Sequence, residues 1–218
     1  MKGRIDSSET GIAVSNADKD QGHAEGLRDV LIAEAIEILE TDGLEALSLR
    51  AVSRAAKVSH AAPYRHFADK DALLAAVSAR GFLALAAAME AAAAGIDDPF
   101  RRRSRIGIAY VRYALDHPAR YRLMFGPTIA GKRRFPELVE AGERSFRRCR
   151  QMMADVADPA ERADEALIER RAIAIWSLVH GLASLLIDDT VTLPGPDDLA
   201  IDERISAEIG RASCRERV

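Results

Sequence analysis

The chain has 218 residues, of which 48% are hydrophobic and 30% charged, and its formal net charge is −3. That balance fits a globular protein able to bury a sizeable core, and it excludes bulk basicity as a source of nucleic-acid affinity, leaving only a local patch. Two cysteines, Cys149 and Cys214, exclude a disulfide framework and a four-cysteine zinc site and suit a reducing cytoplasm.

Residues 1–24 are polar, rich in Ser, Asp and Gly, and lack periodicity, which predicts a disordered arm; no secretory signal is expected there. From Gly26 to Thr41 a helix is expected, with Val30, Ala33, Ile36 and Leu39 on one stripe and Ile32 and Ala35 beside it. Glu34, Glu37 and Glu40 lie opposite, and Gly43 supplies the stop.

Residues 48–70, SLRAVSRAAKVSHAAPYRHFADK, read as two short helices joined by a tight turn. Leu49, Val52 and Ala56 share a face, while Arg50, Ser53, Arg54 and Lys57 point elsewhere. Ser59 is placed to cap a second helix starting at His60, and Pro63 falls in that helix's first turn, where a missing N–H costs least. The segment carries a charge of +4, with His60 and His66 able to add to it, whereas residues 25–47 carry −6. A basic pair of this shape is what a major-groove reader needs, because cations offset phosphate repulsion and a helix fits the groove. The acidic first helix then has to face away from the DNA.

Asp69 can cap a long helix from Lys70 or Asp71 to about Ala94, with Leu73, Leu74, Val77, Phe82 and Leu85 on its buried side. Its first N–H groups and Lys70 together offer an anion site for a backbone phosphate. Asp98 and Pro99 open a helix to about Asp116 whose Arg101, Arg102, Arg103 and Arg105 read as a solvated face. Pro118 opens a short helix holding Tyr121, Leu123, Met124 and Phe125; a loop covers 126–136, a helix covers about Glu137 to Val156, and Asp158-Pro159 begins the next.

The run GPTIAGK at 126–132 has phosphate-loop spacing as far as Lys132. Arg133 then stands where a Ser or Thr would hold magnesium, and a helix precedes the run in place of a strand. His60 and His66 are six apart with no acidic or Cys ligand in register, and no nucleophile elbow appears, so neither a metal, a cofactor nor an enzyme is expected.

Residues 172–187, AIAIWSLVHGLASLLI, are apolar around the whole circumference. Ile175, Leu178, Leu182 and Leu185 lie on one stripe and Ile173, Trp176, His180, Ala183 and Ile187 on another, so one face should pack inward and the other against a partner subunit. This run and 81–96 are each about sixteen residues, short of the roughly 20 that a bilayer span needs, and a soluble, cytoplasmic protein without membrane contact is expected. A last helix at about Asp197 to Gly210, with Leu199, Ile201, Ile205 and Ile209 buried, should pair antiparallel with 165–187. The final ASCRERV, 212–218, has no pattern and reads as a non-native tail.

The run VSHAAPYRHFADKDALL, preceded by ETDGLEALSLRAVSRAA, resembles the N-terminal DNA-binding domain of TetR/AcrR transcriptional regulators over residues 27 to about 74. Val58, Ser59, Tyr64, His66, Phe67, Lys70, Leu73 and Leu74 fall in register, while Ala61 stands where Gly is common and Pro63 where a larger aliphatic residue is common. Trp176, the His180-Gly181 pair and the run DHPARYRLMFGP resemble the C-terminal domain of a subgroup named for Trp, His and Gly, over roughly 100–190.

The resemblance implies an all-α chain with a three-helix helix-turn-helix domain at 25–74 and a larger ligand-binding and dimerisation domain at 75–211. It implies a homodimer that binds a near-palindromic operator in double-stranded DNA, as a repressor, and leaves it when a small-molecule effector binds. Tyr64, His66 and Lys70 would then grip phosphates, with Ser48 and Ser59 helping through caps and backbone contacts. Arg50, His60, Ala61 and Ala62 would face base edges, and Arg65 could turn either way. Tyr121, Met124, Phe125, Trp176 and His180 are candidates to line the effector pocket, being large apolar groups with a few polar tips. The competing reading is a helical-bundle enzyme or carrier whose basic pair has no function.

Overall fold

In the computed structural model, which describes residues 16–195 and 200–213, every regular element is helical. The first, α1 (Asn16–Thr41), starts well before Gly26, so residues 16–24 extend a helix where an arm was expected; residues 1–15 lie outside the described part. Its buried row is Leu31, Ile32, Ala35 and Leu39, each 2% exposed or less, while Val30 is 46% exposed. The face is rotated from the expected stripe because the row Leu31–Ala35–Leu39 is the one that meets Leu49, Val52 and Phe67 in a common core. Gly43, at φ 83°, ends the helix as anticipated, with its N–H bonded to the Ile38 carbonyl at 3.1 Å.

Local chemistry sets most of the other boundaries. Ser48 caps α2 (Leu49–Ala55) by accepting from the Ala51 N–H at 3.1 Å. Asp69 caps α3 (Lys70–Ala93) through the Ala72 N–H, and Asp98 caps α4 (Pro99–Asp116) through the Arg101 N–H, both at 2.8 Å. Each such cap contributes about 1 kcal/mol. Prolines open α5 (Pro118–Phe125), α6 (Pro136–Val156) and the short α7 (Pro159–Ala163). Asp164 caps α8 (Glu165–Ile187).

The chain ends in α9 (Ile201–Ser213), which includes Ala212 and Ser213 of the expected tail; 214–218 and Leu199 lie outside the described residues. Against expectation, α9 packs chiefly on α4, with only a small contact to α8. Gly107 explains the choice: a Cβ there would lie 2.9 Å from Cδ1 of Ile209, so the bare glycine lets α9 settle onto α4.

The long α3 runs between two cores and packs on α4, α5 and α6. Its first half belongs to the core of α1 and α2, but so do Leu123 of α5, Ile129 of the loop after it and Leu138 of α6, so the front unit rests on the rear bundle. Ions reinforce that seat. Arg120, nearly buried on α5, places Nη2 2.5 Å from Glu40 Oε1, and His117 Nδ1 lies 3.0 Å from the same oxygen. Arg28 of α1 pairs with Glu137 of α6. Part of the acidic side of α1 therefore faces cations of the rear bundle.

Two helices, α3 and α8, are long and apolar enough to cross a bilayer by length and composition, where the uninterrupted apolar runs had suggested neither. In α3, 61% of the apolar window is buried in protein; in α8 only 22% is, and Ile173 and Leu185 stand 47% and 45% exposed.

Candidate nucleic-acid interface and effector cavities

The turn after α2 is built on an unusual residue. Lys57 adopts φ 55°, its N–H bonds the Arg54 carbonyl at 3.1 Å, and the Val58 N–H reaches the Ser53 carbonyl at 3.0 Å. This is a Schellman ending with a lysine in the place usually held by glycine. Ser53, expected to point outward, is fully buried, because its hydroxyl donates to the Arg50 carbonyl at 3.0 Å and lies 3.2 Å from Nδ1 of His60. That bond ties the exposed His60 ring to the helix before it.

The second helix of the pair is shorter and tighter than expected. Residues 60–62 are turns and only Pro63–Arg65 is helical, of the 3-10 type. Pro63 has no N–H to give to Ser59, so the Ser59 carbonyl accepts from Ala62 at 3.0 Å, and Arg65 and His66 continue the i+3 pattern at 3.2 and 3.0 Å. The turn is thus anchored by the Ser59 carbonyl, where a hydroxyl cap was expected.

Around this turn the side chains divide cleanly. Pro63 and Phe67 are buried with Leu49 and Val52. Arg50, Ser59, His60, Ala61, Arg65 and Lys70 are exposed and Tyr64 is 54% exposed, while Ser48, Ala62 and His66 are half-buried. The Nζ of Lys70 lies 3.4 Å from the Leu44 carbonyl, above the N-terminus of α3. The result is one cationic, solvent-facing surface on a rigid apolar base.

In the rear bundle, two cavities meet at Phe125. The larger, of 410 Å³, is lined by Tyr121, Arg122, Phe125, Thr128, His180 and Ser184 among others. The smaller, of 210 Å³, is lined by Phe82, Tyr110, Phe125, Phe146, Cys149 and Trp176 with Gly142 and Ser145. Of the five residues expected in a pocket, Tyr121, Phe125, Trp176 and His180 come together here. Met124 lines neither cavity: its sulfur fills the space over Gly81, where a Cβ would sit 2.6 Å away. Tyr110, Phe82, Phe146 and Cys149 were missed, because they come from three helices whose convergence no local pattern announces. Burial pushes the Cys149 thiol up to about 11 and Tyr110 up to about 12, and pushes Tyr121 upward as well, so all three stay protonated. It also pulls His180 down, favouring neutral imidazole.

Lys132 serves no phosphate loop. Its Nζ donates to the Met124 carbonyl at 2.7 Å, tying the loop back to α5, and burial lowers its pKa.

Comparison with known proteins places both halves. Residues 31–77 match the model of bacterial regulatory proteins of the tetR family, and residues 103–207 match the tetracyclin repressor-like C-terminal domain. No curated protein matches the chain. Among solved structures, a protein with unknown function from Rhodococcus sp. RHA1 is 31% identical, with 93% of this chain and 96% of that one covered and a TM-score of 0.67. A TetR family transcriptional regulator, PfmR from Thermus thermophilus, shares the fold at 20% identity, with 83% and 94% covered and a TM-score of 0.55. A TetR-like transcriptional regulator from Rhodococcus sp. RHA1 does so at 17% identity, with 92% and 98% covered and a TM-score of 0.57.

Proposed function

Because the chain belongs to the TetR family of transcriptional regulators, we propose that it is a cytoplasmic, ligand-responsive repressor that binds a palindromic operator as a homodimer and releases it when an effector occupies the rear bundle. It carries out no catalysis in this reading. The observation that carries it is the split at 48–70, where Arg50, Tyr64, Arg65 and Lys70 stand in solvent while Leu49, Val52, Pro63 and Phe67 lock the backbone beneath them.

Tyr64, His66 and Lys70 hold phosphates, with Ser48 and Ser59 fixing the local backbone. Arg50, His60, Ala61 and Ala62 meet base edges, where Arg suits guanine and Ala the thymine methyl, and Arg65 lies between the two sets. Since Nδ1 of His60 is engaged by Ser53, base recognition by that ring falls to Nε2. Homodimerisation is supported by the apolar, uncovered side of α8, and the effector site by the paired cavities.

The test is fluorescence-anisotropy titration of the full chain against the DNA upstream of its own gene and against a scrambled duplex, at several salt concentrations. The reading expects tighter binding to one palindromic site, with two half-sites about one helical turn or slightly more apart. Equal affinity for both duplexes overturns it.

A further inference from the structure

The volume of the smaller cavity limits what can enter it. An apolar cavity of about 150 Å³ holds benzene, whereas pockets for drug-sized ligands start at roughly 300 Å³. At 210 Å³ this one takes a single ring with a short substituent. Its walls suit a ring, because Phe125 meets Phe82 edge-on with centroids 5.1 Å apart and Phe146 meets Trp176 edge-on at 5.6 Å. A flat guest finds aromatic surfaces in two orientations.

The floor of the cavity is one face of α6, where Gly142, Ser145 and Cys149 follow one another at helical spacing. A Cβ added at Gly142 would come no closer than 3.9 Å to Phe82, an ordinary contact, so close packing does not require a glycine there. Polarity picks out one point on this floor. Ser145 is 6% exposed, yet among the described residues its hydroxyl has no hydrogen-bond partner. An unmet buried hydroxyl costs the fold free energy, and a polar atom brought in by a guest removes that cost.

The other polar groups of the lining are engaged or weak. The Tyr110 hydroxyl lies within 3.0 to 3.2 Å of Tyr121, His180 and the Trp176 N–H, and the Cys149 thiol is a weak donor that burial keeps protonated. No described residue lining this cavity carries a charge. An anion or a cation would therefore give up its hydration without meeting a counter-ion.

We propose that the smaller cavity binds an uncharged, single-ring aromatic compound with one short hydrogen-bonding substituent, its ring among Phe82, Phe125, Phe146 and Trp176 and its substituent on the Ser145 hydroxyl. This names the chemical class of the effector, and in that respect it rests on the effector-responsive reading above.

Trp176 is the chain's single tryptophan, so its emission reports on the cavity wall. The full, DNA-free protein is titrated with benzyl alcohol, ethylbenzene, benzylammonium and benzoate, four one-ring probes with substituents of similar size. Benzyl alcohol and ethylbenzene should change the emission saturably, and both ions should bind at least about tenfold more weakly. Ser145→Ala should weaken benzyl alcohol about three- to tenfold and leave ethylbenzene as tight or tighter, which also certifies that the variant is folded. Gly142→Leu, filling the space from the floor, should abolish both responses with far-ultraviolet dichroism unchanged; if that variant does not fold, Ser145→Ala decides alone. The proposal is overturned by a wild type that responds to neither neutral probe, by an ion that binds as tightly as benzyl alcohol, by Ser145→Ala affecting both neutral probes equally, or by a response that survives in folded Gly142→Leu. None of these readouts involves DNA, so a failure of operator binding in the anisotropy assay would strike the regulatory reading alone.

Discussion

At the scale of single residues, Lys57 places backbone strain at the turn of the cationic pair. A non-glycine residue in the left-handed region costs roughly 1 kcal/mol, and Lys57 occupies it at φ 55° between the two members of the cationic pair. Lys57→Gly should therefore raise the unfolding free energy by about 1 kcal/mol, read from the urea midpoint at unchanged slope. A fall in the midpoint would mean that the lysine's charge or packing outweighs the strain. Lys70→Ala should weaken binding to all duplexes and reduce the salt slope by about 1, whereas Arg50→Ala should cost about 1–3 kcal/mol at one base position. An unchanged salt slope in Lys70→Ala would remove that residue from the phosphate contacts. His180 makes a pH prediction. Burial holds its folded-state pKa below the ordinary 6.5, so the unfolded chain binds the proton first. The stability tied to neutral His180 is complete above 6.5 and is lost as pH falls through the folded-state value. The drop in urea midpoint between about pH 7.5 and about pH 5.5 should be smaller in His180→Gln than in the wild type; equal drops would show that the ring titrates alike in both states.

Among the elements, helix ends and helix seats answer to different causes. The ends at Ser48, Asp69, Asp98 and Asp164 follow from short side chains accepting the N–H group three residues on, a geometry contained in a few consecutive residues. The 3-10 turn at Pro63–Arg65 is equally local in origin, since the missing Pro63 N–H leaves the i+3 bonds of Ala62, Arg65 and His66 to carry the backbone. The seat of α9 is not local. It depends on Gly107 of α4 meeting Ile209, a contact between residues far apart in the chain. Gly107→Val should destabilise the protein by about 1–3 kcal/mol through overpacking, and Ile209→Ala in the same chain should restore part of it. Strict additivity of the two changes in thermal or urea unfolding would mean that α9 is held elsewhere.

For the whole molecule, the governing facts are a shared wall and an uncovered face. Glu40 joins Arg120 and His117 at the start of α5, and α5 also supplies Tyr121 and Phe125 to the cavities, so one short helix touches both the front unit and the cavity walls. On α8, Ile173 and Leu185 are exposed, and a Cβ at Gly181 would meet open space, which leaves room for a second copy's helix to approach closely. Leu185→Glu should shift the protein from dimer to monomer in sedimentation velocity and abolish tight operator binding while leaving far-ultraviolet dichroism intact. A dimer that persists in this variant would place the interface on another face.

Taken alone, the order of amino acids determined the helical class, the helix ends set by Ser48, Asp69, Asp98 and the opening prolines, the cationic turn at 48–70 and the membership of Tyr121, Phe125, Trp176 and His180 in one aromatic group. Those features arise from caps, prolines, periodicity and motif spacing, all of which act over a few residues or one helical face. Only the tertiary structure decided that α1 buries Leu31 and leaves Val30 in solvent, that Ser53 is interior, that Met124 fills the gap over Gly81, and that Tyr110 and Cys149 complete the cavities. The reason is the same in each case: which side of a helix is buried, and which atoms face a void, depend on how closely distant helices approach, and that distance is set by packing across the whole bundle.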